Sequence, residues 1–252
     1  MTSKAKTRLK VAIPSAILLA VLAAFIAIAF IAPSNTASAT PSSNVVDHDA
    51  VRVLNNCAAY AASHDFETSM TGTVKAKVFG IPYKITVDGH RTVEDGNLES
   101  VAESVSAFVK AGVMRRVEGG KLYSANGTYK NRCFTYSEPR EYSFDDYVAS
   151  FGKPDLGLVK YELNGNVVSA EKVSPTSYRF TLDPNRAARY SRNEVKTTLG
   201  TDKLPDYELI EISLEVDGNK PTRVTVHETF SVDKFGGTRC DASYTETFTF
   251  KD

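Results

Sequence analysis

Residues 70–87, MTGTVKAKVFGIPYKITV, decide how this chain folds. Met70, Gly72, Val74, Ala76 and Val78 alternate with Thr71, Thr73, Lys75 and Lys77, and Ile81, Tyr83, Ile85 and Val87 alternate with Pro82, Lys84 and Thr86. A period of two sends alternate side chains to opposite faces of a strand. A two-residue connection at Phe79-Gly80 sets Val78 opposite Ile81, so both apolar rows share one face, as hairpin register requires. The segment predicts an antiparallel hairpin with one dry face and one wet face.

The same pattern extends downstream. Leu98–Lys110 fits either a helix or one strand face, and its Ser and Val content favours the strand. Val113–Val117 and Lys121–Ala125 read as strands meeting at Gly119-Gly120, and Asn126-Gly127 as a tight turn before Arg132–Ser137. Ser143–Phe151 reads as a short capped helix ended by Gly152 and Pro154. Val159, Tyr161 and Leu163 lead into the Asn164-Gly165 turn and return through Val168 and Ala170. Tyr178–Leu182 is a strand, Asp183-Pro184 opens a helix through Arg186–Thr198, and the last fifty residues are strongly β. Ile210, Ile212, Leu214 and Val216 precede a turn at Asp217-Gly218-Asn219. Val224, Val226, Phe230 and Val232 follow it, and Tyr244, Phe248 and Phe250 close the chain.

The dry face of such a meander must be covered. Asn44 is the expected cap of a helix reaching Ser63, with Val46, Ala50, Val53, Leu54, Cys57 and Ala61 as its buried stripe. The fold class is therefore α+β, predominantly antiparallel β: a curved meander sheet with an N-terminal helix and one or two short helices packed on it.

Ahead of this unit, residues 11–32 carry no charged side chain, and residues 1–10 carry Lys4, Lys6, Arg8 and Lys10. A helix over that run would be about 33 Å long, enough for a hydrocarbon core of roughly 30 Å. Basic residues stay on the cytoplasmic side, so residues 33–43 form a linker and residues 44–252 an extracytoplasmic domain. The run exceeds the apolar core of a secretory signal, which favours a retained anchor; Ala37-Ser38-Ala39 offers the alternative of cleavage after Ala39. No Cys follows the run until Cys57, so lipid attachment at a processed N-terminus is not expected.

The formal charge is zero overall, with 30 basic and 30 acidic residues, and the part outside the membrane carries about −4. That balance excludes an electrostatic footprint for nucleic acid. Among the three cysteines, Cys133 and Cys240 each follow an Arg in a strand-like segment and are the expected disulfide pair; Cys57 lies on the helix stripe. No two cysteines or histidines have metal-ligand spacing, and no G-x-S-x-G, H-E-x-x-H or P-loop pattern occurs, so neither a cofactor nor catalysis is expected. His48 sits between Asp47 and Asp49 in a capping turn, while His64, His90 and His227 are scattered. Asp145-Asp146 suit a helix start, Asn126-Gly127-Thr128 matches a glycosylation acceptor, and Arg115-Arg116 could meet lipid phosphates but point to opposite faces of a strand.

The phrases TGTVKAKVFGIPYKITVDG and RRVEGGKLYSANG, with one helix ahead of a long meander, resemble the LolA/LppX-like lipid-carrier fold of bacterial envelopes. The resemblance covers roughly residues 45–252 and implies a half-barrel around an apolar cavity, with an apolar ligand such as lipid. Met70, Val74, Ile85, Phe108 and Phe230 are the expected wall residues. The rival expectation is a cell-surface interaction or sensory module with a filled core, its protein partner not named by the sequence.

Overall fold

The computed structural model describes residues 46–251 apart from 79–80, 107–109, 144, 146–156, 200 and 234–236. The expected membrane-crossing run, the alternative cleavage after Ala39, the Phe79-Gly80 turn, Phe108 and most of the expected Ser143–Phe151 helix lie outside the described residues. No described helix is long and apolar enough to cross a membrane.

Twelve strands form one antiparallel sheet, open and curved. The first seven are β1 (Phe66–Val78), β2 (Ile81–Glu94), β3 (Asn97–Val105), β4 (Lys110–Glu118), β5 (Lys121–Lys130), β6 (Cys133–Tyr136) and β7 (Arg140–Ser143). The others are β8 (Val167–Ser174), β9 (Ser177–Leu182), β10 (Asp206–Asp217), β11 (Lys220–Val232) and β12 (Thr238–Phe250). The order across the sheet is β6-β5-β4-β3-β2-β1-β12-β11-β10-β9-β8, with β7 also on β5. Nearly every pairing is between chain neighbours, as short hairpin connections dictate. The exceptions are β7 on β5 and the pairing of β1 with β12 at the centre, Phe66 opposite Phe250 and Ala76 opposite Cys240.

The 70–87 hairpin has the expected register, with Val74 opposite Ile85 and Val78 opposite Ile81. The stretch open to two readings is strand β3, and a helix there would leave β2 and β4 without the partner that β3 supplies to both. Helix α1 (His48–Ser63) buries Ala50, Leu54, Cys57 and Ala61 against β8 and β11. The short helices α2 (Pro184–Ala187) and α3 (Arg189–Leu199) follow β9, and α2 lies against β10. We call the face toward α1 the inner face.

Four expectations are corrected. The α1 cap is Asp47, not Asn44: Asp47 Oδ1 accepts from the amides of Asp49 (2.9 Å) and Ala50 (3.1 Å). The Asp47 amide is itself held by the Ala170 carbonyl of β8 (3.1 Å), which delays the helix start. Asn126-Gly127 does not turn but continues β5; the turn comes at Asn131 and Arg132, both left-handed (φ 53° and 66°). Gly127 and Gly112 are there for close approach, since a Cβ on either would stand 3.0 Å or less from the Tyr136 ring or hydroxyl. Residues 159–163 form no strand. Leu158 and Tyr161 instead point into the core, and the Glu162 amide bonds the Ala187 carbonyl (3.1 Å).

The fourth correction is the disulfide. Cys133, Cys240 and Cys57 are all free. Cys133 is exposed on edge strand β6 and Cys240 is buried in central β12. Six strand spacings separate them, about 29 Å along the sheet, against the roughly 7 Å limit of a disulfide. Burial pushes the Cys57 thiol up to about 11 and raises that of Cys240 further, so both stay protonated and unreactive. Thiol titration of the native chain is expected to find one fast-reacting group and, after denaturation, all three; fewer than three on denaturation would restore a bridge.

Candidate inner-face binding site

The inner face is built by register. Cross-strand neighbours project to the same side, so one inward residue fixes the rest. From Phe66, Met70 and Val74 on β1, the pairings carry the face to Ile85, Val87 and Arg91 on β2. They continue to Ser100, Ala102 and Ser104 on β3, then to Val113 and Arg115 on β4. On the other side, β12 contributes Cys240, Ala242, Tyr244, Glu246 and Phe248, and β11 contributes Val226, Glu228 and Phe230.

Met70, Val74, Ile85 and Phe230 are thus brought together on one face, all buried and all in the main apolar cluster. Phe108 lies outside the described residues. The β8–β12 half is closed by large side chains without exposure, Phe180, Leu182, Ile210 and Ile212, with α1 and Leu158 above them. Phe230 belongs to that half, where it stacks on Tyr207 (centroids 4.9 Å apart, planes at 21°).

Two charged clusters interrupt this apolar face. Arg91 and Glu246 form a buried bidentate pair at 2.5 and 3.1 Å. The guanidinium also lies 5.0 Å from the Phe66 ring and 5.4 Å from that of Phe248. Two fixed N–H donors matching two carboxylate oxygens are the strongest ionic geometry available to side chains. The second cluster centres on Glu228, buried on β11, which accepts from the Tyr161 hydroxyl and lies 3.6 Å from Lys160 Nζ. Loss of water raises the Glu228 carboxyl above its ordinary range, with Lys160 opposing.

That rise has a stability consequence. Unfolded Glu228 loses its proton near 4.5, whereas the folded group retains its proton to higher pH. The contribution to stability is therefore full below about 4.5 and declines as pH rises through the folded value. Glu228→Gln is expected to flatten that decline in melting curves taken between pH 4 and pH 8. An unchanged slope would show that Glu228 is not the titrating group.

Hydroxyls complete the face. Ser104 is 0% exposed and Thr68 5%, and neither oxygen has a hydrogen-bond partner among the described residues. A buried hydroxyl left so costs roughly 1–3 kcal/mol, which makes the pair unusual within a strand face.

Periodicity had a signal for these groups. Arg91 occupies the inward phase of Val87 and Val93, Glu228 that of Val226 and Phe230, and Glu246 that of Tyr244 and Phe248. The other candidates fall elsewhere. His48 and His64 are at the two ends of α1, His90 faces outward, and His227 faces Asp241 (3.6 Å) on the outer side. Arg116 points outward over Tyr123 while Arg115 points inward. Asp145 is helical, and its neighbours Phe144 and Asp146 lie outside the described residues. Among the described residues no three His, Cys, Asp or Glu could hold a metal ion.

Two clefts open along these strands. One of about 460 Å3 runs past Glu94, Asp95, Leu98, Glu99, Arg116 and Val117, and another of about 220 Å3 past Met70, Asp88, Gly89, His90, Val101 and Glu103. Both mix charged and apolar lining.

No protein-family description and no curated protein matches the sequence. Solved structures similar to it include MucB, at 14% identity over 82% of this chain and a TM-score of 0.34. The chain spans 60% of the MucB chain. A DUF1329 family protein from Desulfovibrio piger is 8% identical over 80% of this chain and 90% of its own, at a TM-score of 0.31. A putative outer membrane lipoprotein-sorting protein domain from Vibrio parahaemolyticus is 8% identical over 81% and 92%, at 0.30. Likeness at this level leaves function to this chain's own residues.

Proposed function

We propose that this chain is an extracytoplasmic domain, tethered through residues 11–32, that binds an apolar ligand of the lipid class on the inner face of β1–β3. The observation that carries the reading is the pair of buried hydroxyls, Thr68 and Ser104, without hydrogen-bond partners among the described residues, on a face that they share with Met70, Val74, Ile85 and Val87. A bound molecule with polar and apolar parts would satisfy them; a permanently filled core would not. The described helices support the same division, since α1 lies chiefly against β8 and β11 and α2 against β10. Binding of this kind needs a dry wall and a few polar groups, not catalytic residues.

The test uses the full chain in nanodiscs of zwitterionic phosphatidylcholine, offered palmitate bearing a photoreactive diazirine. Adducts are expected on peptides from 66–105 that carry Met70, Val74 and Ile85. Adducts confined to 11–32 would overturn the reading. They would favour the rival one, an interaction module with a filled core, for which the closed β8–β12 half and the exposed Val168 and Val173 on edge strand β8 speak.

A further inference from the structure

We infer that the lysine-bearing end of the β1–β2 hairpin docks on an anionic bilayer surface, turning that end of the domain toward the membrane. The inference rests on the reading of residues 11–32 as a membrane tether and adds an orientation for the domain so held. The hairpin outruns both neighbours: β12 partners β1 only as far as Ala76, and β3 partners β2 only as far as Thr86. At the base of this projection Lys75 stands directly opposite Lys84, with Lys77 further out, and all three are exposed. Like charges set opposite each other repel, and among the described residues no ion pair holds any of the three. Asp241, across from Lys75 on β12, faces His227 instead (3.6 Å). Ile81, 56% exposed, adds an apolar residue to the projection.

Charge is polarised along these strands. Lys110, Lys130 and Arg132 lie at the same end, and residues 72–87, 104–111 and 128–135 contain no carboxylate. At the opposite end Glu94, Asp95, Glu99 and Glu118 gather around one cleft. In the other half of the sheet, cations at the lysine end are answered locally, Lys203 by Asp233 and Arg239 by Glu208, each at 2.6 Å.

The chain also enters the domain at this end. Val46 bridges Ala170 in parallel, so it arrives from the side of Val167, where β8 starts. Antiparallel pairing from β8 through β12 to β1 puts that start at the same end of the sheet as the β1–β2 connection. Five strand spacings, about 24 Å, lie between them, and residues 33–45 reach at most about 45 Å whatever their conformation. The bilayer that holds residues 11–32 is therefore the anionic surface nearest the lysines, which a free polyanion is not. Each Lys near such a surface strengthens attachment roughly fivefold, over a range set by the Debye length.

The experiment acetylates the full chain in nanodiscs with a succinimidyl ester and reads each lysine by mass spectrometry. Discs of phosphatidylcholine alone are compared with discs holding about one-third phosphatidylglycerol. Lys75, Lys77 and Lys84 are expected to react roughly fivefold more slowly in the anionic discs, while Lys121, at the far end of β5, reacts equally in both. Raising the salt to about 1 M should abolish the difference. In the double variant Lys77→Glu with Lys84→Glu the protection of Lys75 should disappear, and in Lys77→Arg with Lys84→Arg it should remain. Equal rates in the two kinds of disc, or slowing shared by Lys121, overturn the docking while leaving the tether in place. Slowing of the same size in neutral detergent would mean that protein, a second copy of this chain included, covers the lysines, and also overturns it. Failure of the chain to elute with the discs defeats the tether reading instead.

Discussion

Arg91→Met is expected to cost about 3–5 kcal/mol of folding stability, because it leaves the Glu246 carboxylate buried without its partner. Glu246→Gln should cost a similar amount by stranding the guanidinium. For a domain of this size each corresponds to a fall in melting temperature of about 6–20 °C. The pair ties β12 to β2 across β1, so it secures the one pairing that joins the two ends of the domain. The Phe66 and Phe248 rings beside the guanidinium exclude water, which strengthens the pair and raises the penalty for breaking it. The double variant Arg91→Met with Glu246→Met should lose less than either single one, because no lone charge remains. Thermal melts of the three proteins check this. Single substitutions that each cost under 1 kcal/mol would mean that water reaches the pair.

Much of the sheet was readable from alternation alone. In β1, β2, β10 and β11 the apolar rows run in phase with short connections, so local pattern determines both face and register. The pairing of β1 with β12 had no such signal, because nothing local links Phe66 to Phe250. Asn126-Gly127 misled for a different reason. The residue that permits a tight turn also makes room for an aromatic ring, and Tyr136 claims that room. The actual turn, at Asn131 and Arg132, contains no glycine at all.

The site was legible only in part. Counting apolar residues in phase finds Met70, Val74, Ile85 and Phe230. It passes over Arg91, Glu228 and Glu246, which sit in the same phase but are charged. An ionic group in an inward position is costly unless another answers it. Its partner comes from a different strand, as Glu246 does for Arg91, and Glu228 is met by Tyr161 from an irregular stretch. That pairing is a property of the assembled sheet. Arg115-Arg116 shows the converse. Their opposite orientation follows from the strand period, but the neighbours of Arg115, Ser100 and Ser124, are set only once β3, β4 and β5 are in register.

Phe230→Ala is expected to lower stability by about 3–5 kcal/mol, a fall of about 6–20 °C in melting temperature. The ring is 1% exposed, stacked on Tyr207 and opposite Cys240, in the half of the sheet closed by Phe180, Ile210 and Ile212. Its removal leaves a hole that neighbouring strands, fixed by their hydrogen bonds, cannot collapse to fill. Phe230→Leu, which keeps most of the volume, should lose less. Below the melting point, palmitate labelling of the β1–β3 wall should remain at the wild-type level in both variants, since Phe230 packs on Tyr207 in the closed half, away from the proposed wall. Met70→Ala should do the reverse, reducing labelling more than stability. If Phe230→Ala instead melted near wild type and labelled poorly, the ligand space would extend under β11, and the division of the inner face into a filled half and a binding half would be wrong.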